Sequence, residues 1–210
     1  ANDVLFIDEI HRMHITIEEI LYSALEDFRL DIILGQGASA RTMQIGLNPF
    51  TLIGATTRAG LLSNPLRDRF HSLLNFDYYE VEDLKQIILN NASKLELSLD
   101  DYAVTEIARR SRGTPRIALR LLRRIRDFVV VANQQDSLVS QDLVKHSLKM
   151  LRIDNQGLDS MDLKIMQIMK EVYQGGPVGI EALAATLAED KGTLEDVHEP
   201  YLLKEGYILR

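Results

Sequence analysis

Short apolar runs that end abruptly in polar residues mark the first third of the chain. Val4-Leu5-Phe6-Ile7 stops at Asp8-Glu9, and Phe50-Thr51-Leu52-Ile53-Gly54-Ala55 stops at Thr56-Thr57. Runs of this kind suit strands buried on both faces of a parallel sheet, although a buried helix segment has the same pattern over so few residues. Between them, Ile17, Ile20, Leu21, Leu25 and Phe28 fall at helical spacing. Leu30 to Leu34 and Thr42 to Leu47 flank Gly35-Gln36-Gly37-Ala38-Ser39 and read as a hairpin. From Val81 to about Leu151 the period is helical throughout, and Gly113-Thr114-Pro115 is its clearest break, with Thr114 suited to cap and Pro115 to open a helix. A polar stretch, Asp154 to Ser160, precedes a last segment with a helix from Met161, a Gly175-Gly176-Pro177 turn, helices near Ile180 to Ala188 and Thr193 to Glu205, and then Tyr207-Ile208-Leu209. The order predicts three units: a partial α/β unit over 1–79, a helical unit over 80–154 and a small helix-turn-helix-like unit over 155–210.

Composition narrows the function classes. The 210 residues are 46% hydrophobic and 26% charged, which supports real cores in a soluble chain. The absence of cysteine excludes disulfides, thiolate metal sites and a cysteine nucleophile, and it fits a reducing compartment. No apolar stretch approaches the roughly 18 residues of a membrane span, so a cytoplasmic, membrane-free protein is expected. The net charge of -7 argues against a surface that is basic all over, while leaving room for a local basic patch.

Three places carry candidate chemistry. Open parallel sheets bind ligands at the carboxyl ends of their strands, so Asp8 and Glu9 are placed to face one. In nucleotide hydrolases such a pair holds magnesium and orients water; a buried strand ending in a solvated acidic turn gives the same hexapeptide. Thr56 and Thr57 end the second apolar run, where a hydroxyl reaches a γ-phosphate or water, or simply terminates a strand. Arg67 and Arg69 follow in Pro65-Leu66-Arg67-Asp68-Arg69-Phe70, a segment that also reads as a solvated helix face. The helix opened by Pro115 carries Arg116, Arg120, Arg123, Arg124 and Arg126; Arg116, Arg120 and Arg123 share a face, and Arg116 lies in the first turn, where the backbone dipole favours an anion. His11 and His14 have no metal spacing and read as surface or capping residues.

The stretches DEIHRM, LDIILGQGASAR, FTLIGATTRAGLL, NPLRDRF, RSRGTPRIALRLLRRIRDF, GGPVG and EPYLLKEGYI, in this order and over nearly the whole chain, resemble the RuvB family of bacterial AAA+ ATPases, which drive branch migration of Holliday junctions. The resemblance implies an α/β fold: part of the AAA+ P-loop NTPase core, a helical lid and a C-terminal winged helix. It implies an ATP hydrolase and DNA helicase of recombination and repair, with ATP or ADP and Mg2+ as ligands. Asp8 matches the magnesium-holding acid and Glu9 the acid that polarises the lytic water. Thr57, with Thr56 beside it, matches sensor 1, Arg69 the arginine finger offered to a neighbouring subunit, and Arg116 sensor 2. Glu26, Asp27, Phe28, Arg67 and Tyr79 fall in stretches that lie near the nucleotide. Ile32, Met43 and Ile45 of the hairpin match the element that docks on a RuvA-type junction-binding protein, and Arg210 begins the wing that contacts duplex DNA. The implied partners are that protein, a Holliday junction, copies of the chain in a hexameric ring and, indirectly, a RuvC-type resolvase.

One departure is large. No GxxxxGK[ST] phosphate loop occurs in the sequence, and the chain stops before most of a basic wing, so a fragment that by itself binds neither ATP nor DNA well is expected. A clamp-loader-type AAA+ subunit is disfavoured by the winged-helix-like tail. A non-enzymatic winged-helix regulator is disfavoured by Glu9 and Arg69, for which an inert fold has no use.

Overall fold

The computed structural model of the chain describes residues 3–34, 41–133 and 138–209. It divides into two compact units, residues 1–75 and 76–210. Among the described residues no helix is long and apolar enough to cross a membrane.

In the first unit, β1 (Asp3–Ile7) and β4 (Phe50–Gly54) pair in parallel, with Ile7 opposite Gly54. Parallel neighbours need a long crossover. Here it holds α1 (Ile15–Glu26) and an antiparallel hairpin of β2 (Arg29–Leu34) and β3 (Arg41–Gly46). Two backbone bonds continue the pairing past the strands: Ala55 N–H donates to Ile7 O and Ile10 N–H to Ala55 O, each at 2.9 Å. The two polar strand ends are thereby clamped side by side. Gly54 allows the close approach this requires, because a Cβ there would lie 3.0 Å from both Ile10 Cδ1 and Phe70 Cζ. Farther on, Ser63 caps the short α2 (Asn64–Arg67) by accepting from Leu66 N–H, and Leu66 is fully buried.

Burial of these strands on both faces is not what the structure has. Val4 is 61% and Phe6 58% exposed, and Ile53 is half exposed. β1 and β4 bond only each other among the described strands, and a parallel pair is enclosed only where other elements cover both its faces. Among the described residues, the buried apolar side chains of this unit, Ile10, Leu21, Ala24 and Leu66, come instead from the segments around the strand tips and from α1.

The second unit holds two hydrophobic cores. The first is built by α3 (Val81–Lys94), α4 (Asp101–Arg109), α5 (Pro115–Val131) and α6 (Gln141–Met150) around Leu84, Ile88, Ile107, Leu122, Ile125 and Leu148. Each such side chain stabilises the unit by about 1.5–3 kcal/mol through burial. Asp100 and Ser140 cap α4 and α6 by accepting from the N–H groups of Ala103 and Leu143. The helical period is interrupted at two further places: β5 (Ser98–Leu99) and β6 (Leu138–Val139), two residues each, pair in parallel where the connections approach the caps of α4 and α6. The second core, with Leu158, Ile165, Leu183, Leu187, Leu194 and Leu202, is built by α7 (Ser160–Glu171), α8 (Ile180–Leu187), α9 (Lys191–Thr193), a π-helical turn Leu194–His198 and α10 (Glu199–Lys204). The helix expected over 193–205 therefore runs through a widened turn. Pro200 has no N–H to donate to the carbonyl of Asp196, which removes one α-helical bond where the turn widens.

Candidate functional site

The acidic pair sits on a sharp corner. Asp8 follows β1 directly, and Glu9 takes a left-handed conformation (φ 49°) that turns the chain into a 3-10 turn, Ile10–Arg12. A left-handed non-glycine residue costs about 1–3 kcal/mol and persists where its surroundings impose it. The surroundings do so here: Glu9 N–H donates to Asp8 Oδ1 at 3.0 Å, and Ile10 is tied to β4 as described. Across the strand pair, Thr57 Oγ1 donates to Glu9 Oε2 at 3.3 Å. Thr56 Oγ1 lies 2.8 Å from His11 Nδ1 and accepts from Arg58 N–H at 3.0 Å. His11 Nδ1 is also 3.3 Å from Glu9 Oε2.

Glu9, Thr56 and Thr57 thus gather at the strand tips, with Asp8 on the same corner beside Glu9. His11 completes the group, against its reading as a surface or capping residue: its side chain is only 6% exposed. The left-handed turn at Glu9 is the reason, because it folds the chain back over β4. His14 does cap α1, its Nδ1 accepting from Thr16 N–H at 3.3 Å. The site's oxygen atoms, two carboxylates and two hydroxyls, suit a hard divalent cation and water rather than a soft metal.

Arg69 occupies a second place in the first unit. One terminal nitrogen is 2.7 Å from Glu26 Oε1, the other donates to the Pro65 carbonyl at 2.7 Å, and the guanidinium lies over the Tyr22 ring at 4.4 Å. Arg67 donates to the Ala59 carbonyl at 3.2 Å. Asp27, beside Glu26, pairs with Arg29 at 3.2 Å, and Phe28, also left-handed, meets Phe50 edge-on at 6.4 Å. On the hairpin, Ile32 stands opposite Met43, and Leu30 opposite Ile45. Directly paired residues share a face, and alternate residues return to it, so Leu30, Ile32, Met43 and Ile45 make one apolar stripe, in which Ile32, Met43 and Ile45 are exposed.

Arg116 and Tyr79 belong to the second unit. α5 buries Ala118, Leu121, Leu122, Ile125 and Val129, so its arginines stand on the outer side. Arg116 lines a cleft of 620 Å³ with Arg120, Arg123, Arg124 and Arg126. Tyr79 N–H donates to the Gly113 carbonyl at 2.8 Å, and Gly113 takes φ 70° against Tyr78, whose Cβ lies 2.7 Å from where a Cβ at Gly113 would stand. Tyr78 and Tyr79 line a cavity of 610 Å³ with Arg109, Arg112 and Tyr201. Arg210 lies outside the described residues.

A buried ionic cluster in the second unit has no counterpart in the sequence reading. Arg112, itself left-handed, donates through Nε to the Gly157 carbonyl at 2.7 Å and through a terminal nitrogen to Asp162. Asp162 also accepts from His198 Nδ1 at 2.7 Å and from Asp159 N–H at 2.8 Å. Arg112 stacks on Tyr201 at 4.8 Å, and Tyr201 donates to the Gln156 carbonyl. Two residues away, Arg110 bonds Glu106, Asn155 and the Asp154 carbonyl. Burial pushes the Asp162 carboxyl up, but the hydrogen bonds from His198 and Asp159 and the Arg112 charge outweigh it and hold the group below its ordinary range. Burial and the nearby Glu205 push the Tyr201 hydroxyl up to about 12, so it remains a donor.

Comparison with known proteins covers the whole chain. Residues 1–76 match the family model of the Holliday junction DNA helicase RuvB P-loop domain, residues 79–154 the RuvB AAA lid domain, and residues 155–210 the RuvB C-terminal winged helix domain. The Holliday junction branch migration complex subunit RuvB of Lawsonia intracellularis is 52% identical over 209 residues, which cover 100% of this chain and 61% of that protein. A variant of Thermotoga maritima RuvB superposes with a TM-score of 0.88 at 47% identity, covering 100% of this chain and 66% of the other. The structure described as the Thermotoga maritima RuvB Holliday junction branch migration motor gives 0.85 at 48%, covering 99% and 64%. The chain thus spans less than two thirds of the length of these relatives. With all three family models matched in order from end to end, and a relative more than half identical, the chain belongs to the RuvB family.

Proposed function

We propose that this chain is the working part, from the water-activating acids to the winged helix, of an ATP-driven DNA motor that moves Holliday junctions. The observation that carries this reading is the hydrogen bond from Thr57 to Glu9 across the tips of two parallel strands, with Asp8 beside it. A hydroxyl bonded to one carboxylate, with a second carboxylate on the adjoining residue, suits a triphosphate, its cation and an attacking water. Glu9 accepts from that water and orients it. Thr57, already bonded to Glu9, reports whether a γ-phosphate is present. Asp8 supplies a carboxylate for Mg2+, which when bound neutralises phosphate charge; the all-oxygen donor set fits that ion. Thr56 fixes His11, and His11 in turn contacts Glu9.

Arg69 serves as the finger that stabilises charge on the nucleotide of a neighbouring subunit in a hexameric ring, and Arg116 contacts the phosphates from the lid. Glu26, Asp27, Phe28, Arg67 and Tyr79 border the nucleotide. The apolar stripe of Ile32, Met43 and Ile45 docks on a RuvA-type junction-binding protein, and the winged helix, with Arg210, holds duplex DNA. A RuvC-type resolvase acts on the same junction without touching this chain, and the work is done in the cytoplasm.

The test is Arg69→Ala in the complete gene product assembled on a synthetic junction. ATP hydrolysis is expected to fall by about 10³–10⁵-fold, the range for an arginine supplied in trans, while nucleotide binding by titration calorimetry is retained. Hydrolysis at the normal rate would remove the finger, and with it the ring-dependent mechanism.

A further inference from the structure

α1 carries Glu18, Tyr22 and Glu26 at intervals of four residues, so the three side chains form one stripe along the helix. That stripe meets the segment from Ser63 to Arg69. Ser63 Oγ donates to Glu18 Oε2 at 2.6 Å and lies 3.0 Å from the Tyr22 hydroxyl, which itself donates to Glu18 at 3.2 Å. Glu18 is buried, so the tie is shielded from water. The Tyr22 ring is locked by it, and the Arg69 guanidinium rests on that ring. Glu26, one turn farther, holds one end of the guanidinium and the Pro65 carbonyl the other.

Arginine has five N–H donors in a rigid fork. Two are engaged by Glu26 and Pro65, and Nε is enclosed with no hydrogen-bond partner among the described residues. One N–H on each terminal nitrogen remains for another acceptor. A long, freely rotating arginine would lose its rotamer freedom at the moment it met a phosphate; one held by a ring, a carbonyl and a carboxylate has lost it on folding.

We propose that Glu26 is a positioning residue for Arg69, holding the guanidinium in a fixed orientation, on the Tyr22 ring, before a neighbouring subunit's nucleotide reaches it. This rests on the reading of Arg69 as the finger. Glu26 acts through Arg69, and it keeps its contact while the two free N–H groups bond the phosphate. A carboxylate that merely sequestered Arg69 would have the opposite effect, since its removal would speed hydrolysis.

The experiment is steady-state ATP hydrolysis by the complete gene product, assembled on junction DNA, for Glu26→Ala, Glu26→Gln, Arg69→Ala and the Glu26→Ala/Arg69→Ala double variant. Glu26→Ala is expected to lower kcat about tenfold with KM for ATP changed by less than about twofold, the signature of a misplaced group that acts in the transition state. Glu26→Gln keeps an acceptor oxygen at the same reach and is expected to restore most of kcat. The double variant is expected to be no slower than Arg69→Ala alone, because Glu26 has nothing left to position. An unchanged or faster Glu26→Ala, a glutamine variant as slow as the alanine one, or a double variant slower than Arg69→Ala overturns the positioning role. A fully inactive Arg69→Ala beside an unchanged Glu26→Ala overturns that role alone, whereas an active Arg69→Ala removes it together with the finger.

Discussion

Two arginines, one in each unit, are held by carboxylates in opposite settings. Arg69 meets Glu26 where the acid's side chain is 60% exposed, and Arg112 meets Asp162 where the acid is fully buried. Both pairs add a tyrosine ring and a backbone carbonyl, so the chemistry is nearly the same. What differs is water. Around Glu26 solvent screens the charges, and holding two side chains together contributes at most about 1 kcal/mol to stability. Around Asp162 there is no solvent to replace a lost partner, and an unpaired buried charge is expensive. The exposed pair is therefore free to serve an orientation, while the buried one ties the segment 154–162 and His198 to the start of α5.

The largest expected effect comes from Arg112→Ala. It removes the guanidinium from Asp162, from the Gly157 carbonyl and from the Tyr201 ring, and it places alanine at φ 53°. Breaking a buried pair in this way costs about 3–5 kcal/mol, so the thermal transition of the second unit should move down by many degrees in calorimetry. A variant melting within a degree of the parent would mean that the cluster is not held by charge.

A smaller effect follows from acid. The folded Asp162 carboxyl titrates below its ordinary value of 3.8. Its contribution is complete above that value and is lost as pH falls through the lower folded one. The stability difference between the parent and Asp162→Asn, measured by urea unfolding, should therefore shrink as pH falls below 3.8. A difference that grows on acidification would reverse the sign and place the carboxyl above its ordinary range.

The two regions also differ in how far they could be read from the sequence. The strand-tip cluster was legible because each apolar run changes to polar residues at one step, which places Asp8, Glu9, Thr56 and Thr57 at the same end of parallel neighbours. His11 was missed because its direction depends on the left-handed turn at Glu9, which no residue type announces. The exposed faces of β1 and β4 differ from expectation for another reason: apolar composition reports that a strand suits cover, and not which elements of this chain supply it. The Arg112 cluster had no local signal at all. Asp162 follows 50 residues after Arg112, and His198 a further 36, so only the folded chain brings them together. By contrast the Glu18–Tyr22–Glu26 stripe obeys helical spacing and needed only the knowledge that Arg69 lies against it.

The smallest expected effect is the most discriminating. Glu26→Ala should lower the melting temperature of the first unit by only a few degrees, because an exposed ion pair contributes about 0.2–1 kcal/mol, and about 1 kcal/mol moves the transition of so small a unit by roughly 4–8 °C. The same substitution is expected to slow hydrolysis tenfold in the assembled protein. Stability and rate separate in this way only when a contact fixes the direction of a side chain that the fold does not otherwise need. If Glu26→Ala destabilised its unit as much as Arg112→Ala does the other, the exposed pair would be a structural strut like the buried one, and the loss of rate would follow from a loosened strand-tip site. Measuring both variants by calorimetry at one pH and at low and high salt decides between these, since added salt screens the exposed pair and leaves the buried one nearly untouched.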